Sequence, residues 1–151
     1  MNYKKFFNRK ADIVARDLLG LSLLRITETG STSGKIIETG AYIGGNETPS
    51  RKGMKYAPGT VFLMPYRSFR LLNIATSREG YASCVELRQV ALHDKILKGS
   101  GKIANFFDIS KDLDGILLGK EVQIIGEPEK EPNIKRISGD SDNCIGYFLV
   151  K

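Results

Sequence analysis

The sequence predicts an α+β domain with a mostly antiparallel β-sheet and a few flanking helices. Short apolar segments rich in Val, Ile and Leu recur along the chain, and turns rich in Gly, Ser, Thr and Pro separate them. Segments long enough to form crossover helices are scarce, so neighbouring strands are expected to pair in antiparallel fashion. With 151 residues, of which 41% are hydrophobic, the chain suits a single domain, which we place at residues 1–151.

The first part of the chain predicts a helix followed by a β-hairpin. Residues 9–19 carry apolar side chains at helical spacing, and Gly20 supplies a stop signal. Residues 21–26 and 35–39 predict two strands. The segment 27–34 between them is rich in Thr, Ser and Gly and therefore predicts the turn of the hairpin.

A long loop, further strands and a short helix are expected after the hairpin. The loop at residues 43–58 contains a basic cluster, and loops of this length are often functional. A glycine-rich basic turn leads into a short helix at residues 103–107. The other strands are predicted at residues 60–64, 71–75, 82–90, 119–125 and 145–150.

The strand predicted at residues 82–90 alternates between apolar and charged side chains. Side chains of a strand point alternately to its two faces. Val85 and Leu87 therefore share one face, and Glu86 and Arg88 share the other.

The positive charge is the first indication of function. Lys and Arg number 23 and Asp and Glu number 17, which gives a net charge of +6 and a pI near 9.3. Such a protein attracts polyanions, and nucleic acid is the commonest of these inside cells. An ordinary basic surface accounts for the same charge, and a small RNA-binding domain is a third interpretation that rests on charge alone.

The sequence argues against several other classes of protein. His93 is the only histidine and no Ser or Cys motif accompanies it, which disfavours a catalytic triad. Together with Cys84 and Cys144 it shows no metal-ligand spacing, so no metal site is expected. Two cysteines predict no disulfide framework, which indicates a reducing, cytoplasmic compartment. No apolar run approaches the roughly 18 residues that a membrane span needs.

Basic side chains next to glycines or aromatic residues form clusters that can contact phosphate groups. Tyr42 and Tyr66 lie near these clusters in the sequence and offer rings on which bases can stack. Phe69, by contrast, is assigned to the core. The clusters contain Arg51, Lys52, Arg67, Arg70 and the segment 98–102.

Residues 36–44, with the sequence Ile-Ile-Glu-Thr-Gly-Ala-Tyr-Ile-Gly, resemble the signature strand of the methylpurine (3-methyladenine) DNA glycosylase family of the alkyladenine type. Other segments resemble further motifs of this family in the same order, and together they extend over most of the chain. The resemblance implies the family's α+β fold. These segments are residues 14–20, 58–62, 72–74, 84–88, 99–103, 136–139 and 147–150.

The resemblance implies that the chain excises alkylated purines from double-stranded DNA, as a monomer and without a metal or organic cofactor. A base inside the duplex is out of reach, so it must first be flipped out. At the family's positions the sequence has Tyr66 as the wedge that enters the vacated stack and Tyr42 as the aromatic floor. Asn73 stands at the purine edge and Arg88 near the hydrolytic water. Contacts to the DNA backbone are expected from Arg51, Lys52, Arg67, Arg70 and Lys102.

The sequence departs from the family pattern at several positions, and the most consequential is that of the general base. Where the family carries a glutamate as general base, two residues before the pocket tyrosine, this sequence has Gly40. Residues two apart in a strand share a face, so Gly40 and Tyr42 are expected in one pocket, with room for a carboxylate above the glycine. Glu38 shares that face and is expected to be structural.

Two hypotheses follow from the resemblance and the departure. The first is a monofunctional DNA glycosylase of base-excision repair, which hydrolyses the N-glycosidic bond. The alternative is a catalytically weak or inactive homologue that binds damaged DNA, and Gly40 is the residue that favours it.

Overall fold

The computed structural model describes residues 1–44, 56–138 and 144–150. Within these ranges the chain forms three α-helices, one short 3₁₀ helix and nine β-strands. The helices are α1 (Tyr3–Phe7), α2 (Ala11–Leu18) and α3 (Ser100–Phe106), and the 3₁₀ helix is Lys111–Leu113. The strands are β1 (Ser22–Thr27), β2 (Gly30–Tyr42), β3 (Val61–Tyr66), β4 (Phe69–Thr76), β5 (Ser83–Ala91), β6 (Ile96–Lys98), β7 (Val122–Ile125), β8 (Ile134–Ser138) and β9 (Cys144–Leu149).

The strands form one sheet whose main path runs β3-β4-β5-β2-β1-β7. Strand β6 pairs with β5, β9 pairs with β2, and β8 pairs with β9. Every one of these pairings is antiparallel. The α+β fold with a mostly antiparallel sheet is therefore confirmed.

Strand β2 is the centre of the sheet and has three neighbours. Its first half pairs with β1, from Gly30 to Lys35. Its second half lies between two strands, with β5 on one side and β9 on the other. The end of β2 at Tyr42 thus has strands on both sides, which fixes its side chains in register with those of β5 and β9.

Helix α2 packs against the sheet and determines which face of β2 is buried. Thr39 is fully buried, and its hydroxyl donates a hydrogen bond to the carbonyl oxygen of Ala15 in α2 (2.8 Å). Because strand side chains alternate, Thr39 and Ala41 face the helix, and Gly40 and Tyr42 face the opposite side. Helix α2 contributes a buried stripe at helical spacing, formed by Ala11, Val14, Ala15 and Leu18.

The hairpin between β1 and β2 differs from the sequence prediction. The strands pair as far as Thr27 and Gly30, so residues 28–29 form the turn and the predicted turn at 27–34 is wrong. Ser31, Thr32 and Ser33 instead continue the strand, because a strand with largely exposed side chains accommodates short polar residues. Composition alone had suggested a loop.

Helix α1 was not predicted from the sequence. Its five residues are too few for a periodic pattern, but Asn2 caps it by accepting a hydrogen bond from the backbone N–H of Lys5 (3.1 Å). Phe7 anchors the helix in the core. Among the described residues, no helix combines the length and the apolar character needed to cross a membrane.

Candidate functional site

A cleft of about 720 Å³ opens on the face of β2 opposite to α2. Strands β2 and β5 form its floor, and the hairpin of β3 and β4 and the first turn of α3 form its walls. Polar and aromatic side chains converge there, which is typical of ligand sites. They include Tyr42, Tyr66, Phe69, Glu86, Arg88 and Ser100.

A row of directly opposed residues crosses the floor of the cleft. Asn73 of β4 is opposite Glu86 of β5, Glu86 is opposite Gly40 of β2, and Gly40 is opposite Gly146 of β9. Opposed residues of antiparallel strands project to the same face. Two adjoining glycines therefore leave a shallow depression, and the guanidinium of Arg88 lies in it.

The space expected above Gly40 for a carboxylate is occupied by Arg88. A Cβ atom placed on Gly40 would lie 2.5 Å from both Cζ and Nε of Arg88, and one on Gly146 would lie 3.3 Å from Nη1. The first distance is far below van der Waals contact. Any side chain at position 40 must therefore displace the guanidinium, and the expectation of free room is wrong.

Arg88 is held in this position by three neighbours. Its Nε donates a hydrogen bond to Oε1 of Glu86 at 2.7 Å, and its Nη2 donates to the hydroxyl of Tyr42 at 3.0 Å. Nη2 also lies 3.2 Å from Sγ of Cys144. The other carboxylate oxygen of Glu86 accepts a hydrogen bond from the hydroxyl of Ser100 at 2.8 Å. We call Tyr42, Glu86, Arg88 and Ser100 the floor cluster.

The floor cluster keeps Arg88 charged and Tyr42 neutral at ordinary pH. Burial lowers the pKa of Arg88, but the hydrogen bond and the charge of Glu86 outweigh burial and raise the pKa above its usual value. Burial also raises the pKa of the Tyr42 phenol, and the negative charge of Glu86 raises it further. Tyr42 thus presents an uncharged ring to the cleft.

We expect Tyr42 to make stability fall at alkaline pH. Above about pH 10 an unfolded tyrosine loses its proton, whereas native Tyr42 retains it. The folded state then binds more protons, so the free energy of unfolding decreases as pH rises, by up to about 1.4 kcal/mol per pH unit. Urea unfolding between about pH 9 and 11 should show a shallower decline for Tyr42→Phe. Equal slopes for the two proteins would contradict this explanation.

The hairpin of β3 and β4 presents Tyr66 at its tip. Tyr66 is opposite Phe69, and Arg67 in the connecting turn has a left-handed backbone conformation, with φ of 55°. The Tyr66 side chain is 51% exposed. The sequence placed Phe69 in the core, which is wrong, because it is 40% exposed and lies against Gly101 of α3.

Gly101 allows this contact because it has no side chain. A Cβ atom there would lie 2.8 Å from Cδ1 of Phe69. The close approach joins the start of α3 to the hairpin, so the two walls of the cleft support each other.

Basic side chains lie in the cleft and on the neighbouring hairpin. Lys98 and Lys102 belong to the cleft lining, and both are exposed. Arg67 lies in the turn of the hairpin, with its guanidinium 5.4 Å from the centre of the Tyr66 ring. Arg70 is opposite Pro65 and therefore lies on the face of the hairpin away from the cleft, unlike the pair of Tyr66 and Phe69. The predicted backbone contacts Arg51 and Lys52 lie outside the described residues.

Asn73 lies in the row but beneath the surface of the cleft. It is 2% exposed, and its amide donates a hydrogen bond to the carbonyl oxygen of Leu71 at 3.0 Å. Its Oδ1 lies 3.5 Å from Sγ of Cys84. Its predicted role at the edge of a bound purine stays a prediction.

Across residues 1–44, 56–138 and 144–150, no three His, Cys, Asp or Glu side chains are grouped so that they could hold a metal ion. Cys84 and Cys144 are both buried, and they form no disulfide. Cys144 instead contacts the guanidinium of Arg88.

Glu86 and Ser100 were not predicted as site residues from the sequence. The alternation along β5 does place Glu86 on the face of Arg88, and that signal could have identified it. Ser100 gave no such signal, because its contact to Glu86 depends on how α3 packs against β5.

Comparison with known proteins gives a consistent set of matches. The family model described as "Methylpurine-DNA glycosylase (MPG)" matches residues 5–140. A protein of Chlorobium luteolum named "Putative 3-methyladenine DNA glycosylase" is 28% identical over 158 aligned positions, which cover 87% of this chain and 81% of the relative. A protein of Methanocella arvoryzae with the same name is 30% identical, with 89% of this chain and 79% of the relative covered.

Proposed function

Because the chain belongs to the methylpurine-DNA glycosylase family, we propose that it excises alkylated purines from double-stranded DNA by hydrolysing the bond between base and deoxyribose. The observation that carries the proposal is the floor cluster, which places a buried carboxylate, a cation and a neutral phenol in one cleft beside an exposed aromatic tip. The names of the relatives support 3-methyladenine as the class of lesion.

In the proposed reaction the hairpin of β3 and β4 opens the duplex. The target base has to leave the stack, at a cost of a few kcal/mol. Tyr66 at the tip is exposed and can fill the gap with its ring. The flipped base then enters the cleft, and the basic side chains at the hairpin and at α3 bind the neighbouring phosphates.

The Tyr42 ring suits an alkylated purine inside the cleft. Many N-alkylated purines carry a positive charge, and a neutral, electron-rich ring attracts a cation as well as stacking on it. Burial and the charge of Glu86 raise the pKa of Tyr42, so the ring stays neutral into alkaline pH as well. An undamaged purine is uncharged and gains only the stacking energy, so the Tyr42 ring binds the alkylated purine more tightly.

We expect Tyr66→Ala to weaken binding to a duplex with an abasic site by about 5- to 150-fold, with a smaller effect on undamaged duplex. Stacking of an aromatic side chain on bases contributes about 1–3 kcal/mol, and only a duplex with a gap offers that contact. Fluorescence anisotropy with both duplexes measures the two dissociation constants. Phe106→Ala, at an exposed aromatic outside the cleft lining, is the matched control. Equal losses on both duplexes would exclude Tyr66 as the wedge.

The proposed activity is tested by release of free base. Duplex DNA methylated with tritiated dimethyl sulfate contains 3-methyladenine and 7-methylguanine, and chromatography separates the released bases. The protein should release 3-methyladenine faster than the uncatalysed rate and leave the sugar-phosphate backbone intact. Binding of the methylated duplex without any release would contradict the proposed activity.

A second candidate function is the recognition of damaged DNA without hydrolysis. The observation that favours it is the guanidinium of Arg88, which fills the space above Gly40. In that case the same experiment gives tight, lesion-dependent binding and no released base.

A further inference from the structure

We propose that Glu86 is the catalytic carboxylate of this chain, which activates the attacking water and stabilises the positive charge that develops on the sugar. The inference rests on the proposed function and adds a residue to it. Gly40 has no side chain, so a carboxylate for this step must come from another strand. Glu86 is directly opposite Gly40 on β5.

The burial of Glu86 supports a role in the cleft. Of the acidic side chains that the structure describes, Glu86 alone is buried, with 8% of its surface exposed. Burying a carboxylate is unfavourable unless partners compensate for the lost water. Its partners Arg88, Ser100 and Tyr42 all line the cleft, so the carboxylate belongs to the cleft and not to the core.

Glu86 also retains the capacity to bind a water molecule. Oε1 accepts the hydrogen bond from Nε of Arg88 and lies 3.5 Å from the Tyr42 hydroxyl. Oε2 accepts the hydrogen bond from Ser100. Each carboxylate oxygen has two lone pairs, so Oε2 can accept a further hydrogen bond from water in the cleft. Arg88 and Ser100 fix the carboxylate in place for that contact.

With Glu86 as the general base, every bond and proton of the hydrolysis is accounted for. The bond between C1′ and the purine nitrogen breaks, and its electron pair neutralises the cationic purine as it leaves. The oxygen of water forms the new bond to C1′, and Glu86 takes the proton that the water loses. Glu86 then returns the proton to solvent, and the products are free base and an abasic sugar. During bond cleavage the negative charge of Glu86 stabilises the cationic sugar.

The test compares Glu86→Gln with the native protein in single-turnover release of 3-methyladenine from the methylated duplex, alongside the dissociation constant for that duplex. Loss of a general base lowers rates by about 10²–10⁴-fold. We expect a fall of at least about 10²-fold in the release rate with little change in the dissociation constant. A merely structural carboxylate would not separate rate from binding in this way.

Asp114→Asn is the matched control. Asp114 also accepts structural hydrogen bonds, from the backbone N–H of Leu63 (2.9 Å) and from the Tyr56 hydroxyl (3.5 Å), but it lies outside the cleft lining. The Asp114→Asn variant should release base at a rate close to that of the native protein. If Glu86→Gln does not fold, Glu86→Asp is used in its place. Aspartate keeps the negative charge, but its side chain is one methylene shorter, so the carboxylate is withdrawn from the cleft.

A double variant adds a rescue experiment. In Gly40→Glu/Glu86→Gln a carboxylate returns on the opposite strand, and Arg88, which has lost its ionic partner, is free to pair with it. Release should recover by about tenfold or more over Glu86→Gln. Native release rates in Glu86→Gln, or in Glu86→Asp where that variant is used, would overturn the inference and leave the proposed function standing. A double variant as slow as Glu86→Gln would also overturn it. A native protein that releases no base would overturn both.

Discussion

Replacing Arg88 by methionine is expected to lower the free energy of unfolding by about 3–5 kcal/mol, the cost of leaving a buried charge without its partner. The Arg88–Glu86 pair is well shielded, with side-chain exposures of 16% and 10%. Methionine retains much of the volume above Gly40 and Gly146, so the effect reports mainly the lost charge and hydrogen bonds. Urea unfolding followed by circular dichroism measures it.

The half-buried pair of Arg9 and Asp17 provides the comparison for this prediction. Its shortest contact is 2.8 Å, nearly the same as in the buried pair, but both side chains are 34% exposed. Ion pairs nearer to solvent contribute less to stability, so Arg9→Met should cost less than Arg88→Met. Removing both charges in Arg88→Met/Glu86→Gln should recover part of the stability, because no unpaired charge remains. Equal costs for the two single variants would refute the role of burial.

Binding to undamaged duplex DNA should weaken by about 10²-fold between 50 and 200 mM salt. Each phosphate that a basic side chain neutralises contributes about −0.9 to the slope of log K against log salt concentration. Four basic side chains lie in the cleft lining or on the hairpin within the described residues, which gives a slope of about −3.6 if each contacts one phosphate. They are Arg67, Arg70, Lys98 and Lys102.

Single lysine variants locate the binding face. Lys102→Gln should reduce the magnitude of the slope by about 1, because one phosphate contact is lost. Lys120 is exposed and lies two residues before the edge strand β7, at the opposite end of the sheet from β3, so Lys120→Gln should leave the slope nearly unchanged. A slope near zero for the native protein would exclude the electrostatic contact to DNA.

Much of the fold could be predicted from the sequence because the patterns that specify it are local. Helix α2 and strands β4 and β5 show the periodicity of their element, and a single turn separates β3 from β4, which places Tyr66 at the tip. The resemblance to the family gave the remaining order of elements. The segment before Lys35 was misassigned because Thr and Ser are common both in turns and in exposed strands.

The floor cluster could be predicted only in part, since its contacts join residues far apart in the chain. Alternation along β5 places Arg88 and Glu86 on one face, but no sequence pattern shows that the guanidinium bends back over Gly40 and Gly146. That position results from the register of three strands. The absence of a side chain at position 40 therefore suggested empty space above Gly40, whereas in the structure the guanidinium of Arg88 occupies that space.

The pairing of β9 with β2 has a consequence for the order in which the protein folds. Gly146 and Gly40 are paired but lie about a hundred residues apart in the chain, and contacts of such separation form late and slowly because a long loop must first close. Until β9 docks, Arg88 lacks its contact with the Cys144 thiol. Partly folded chains can therefore carry the basic hairpin before Arg88 has all its contacts. The final position of Arg88 then arises only when the last strand pairs with β2.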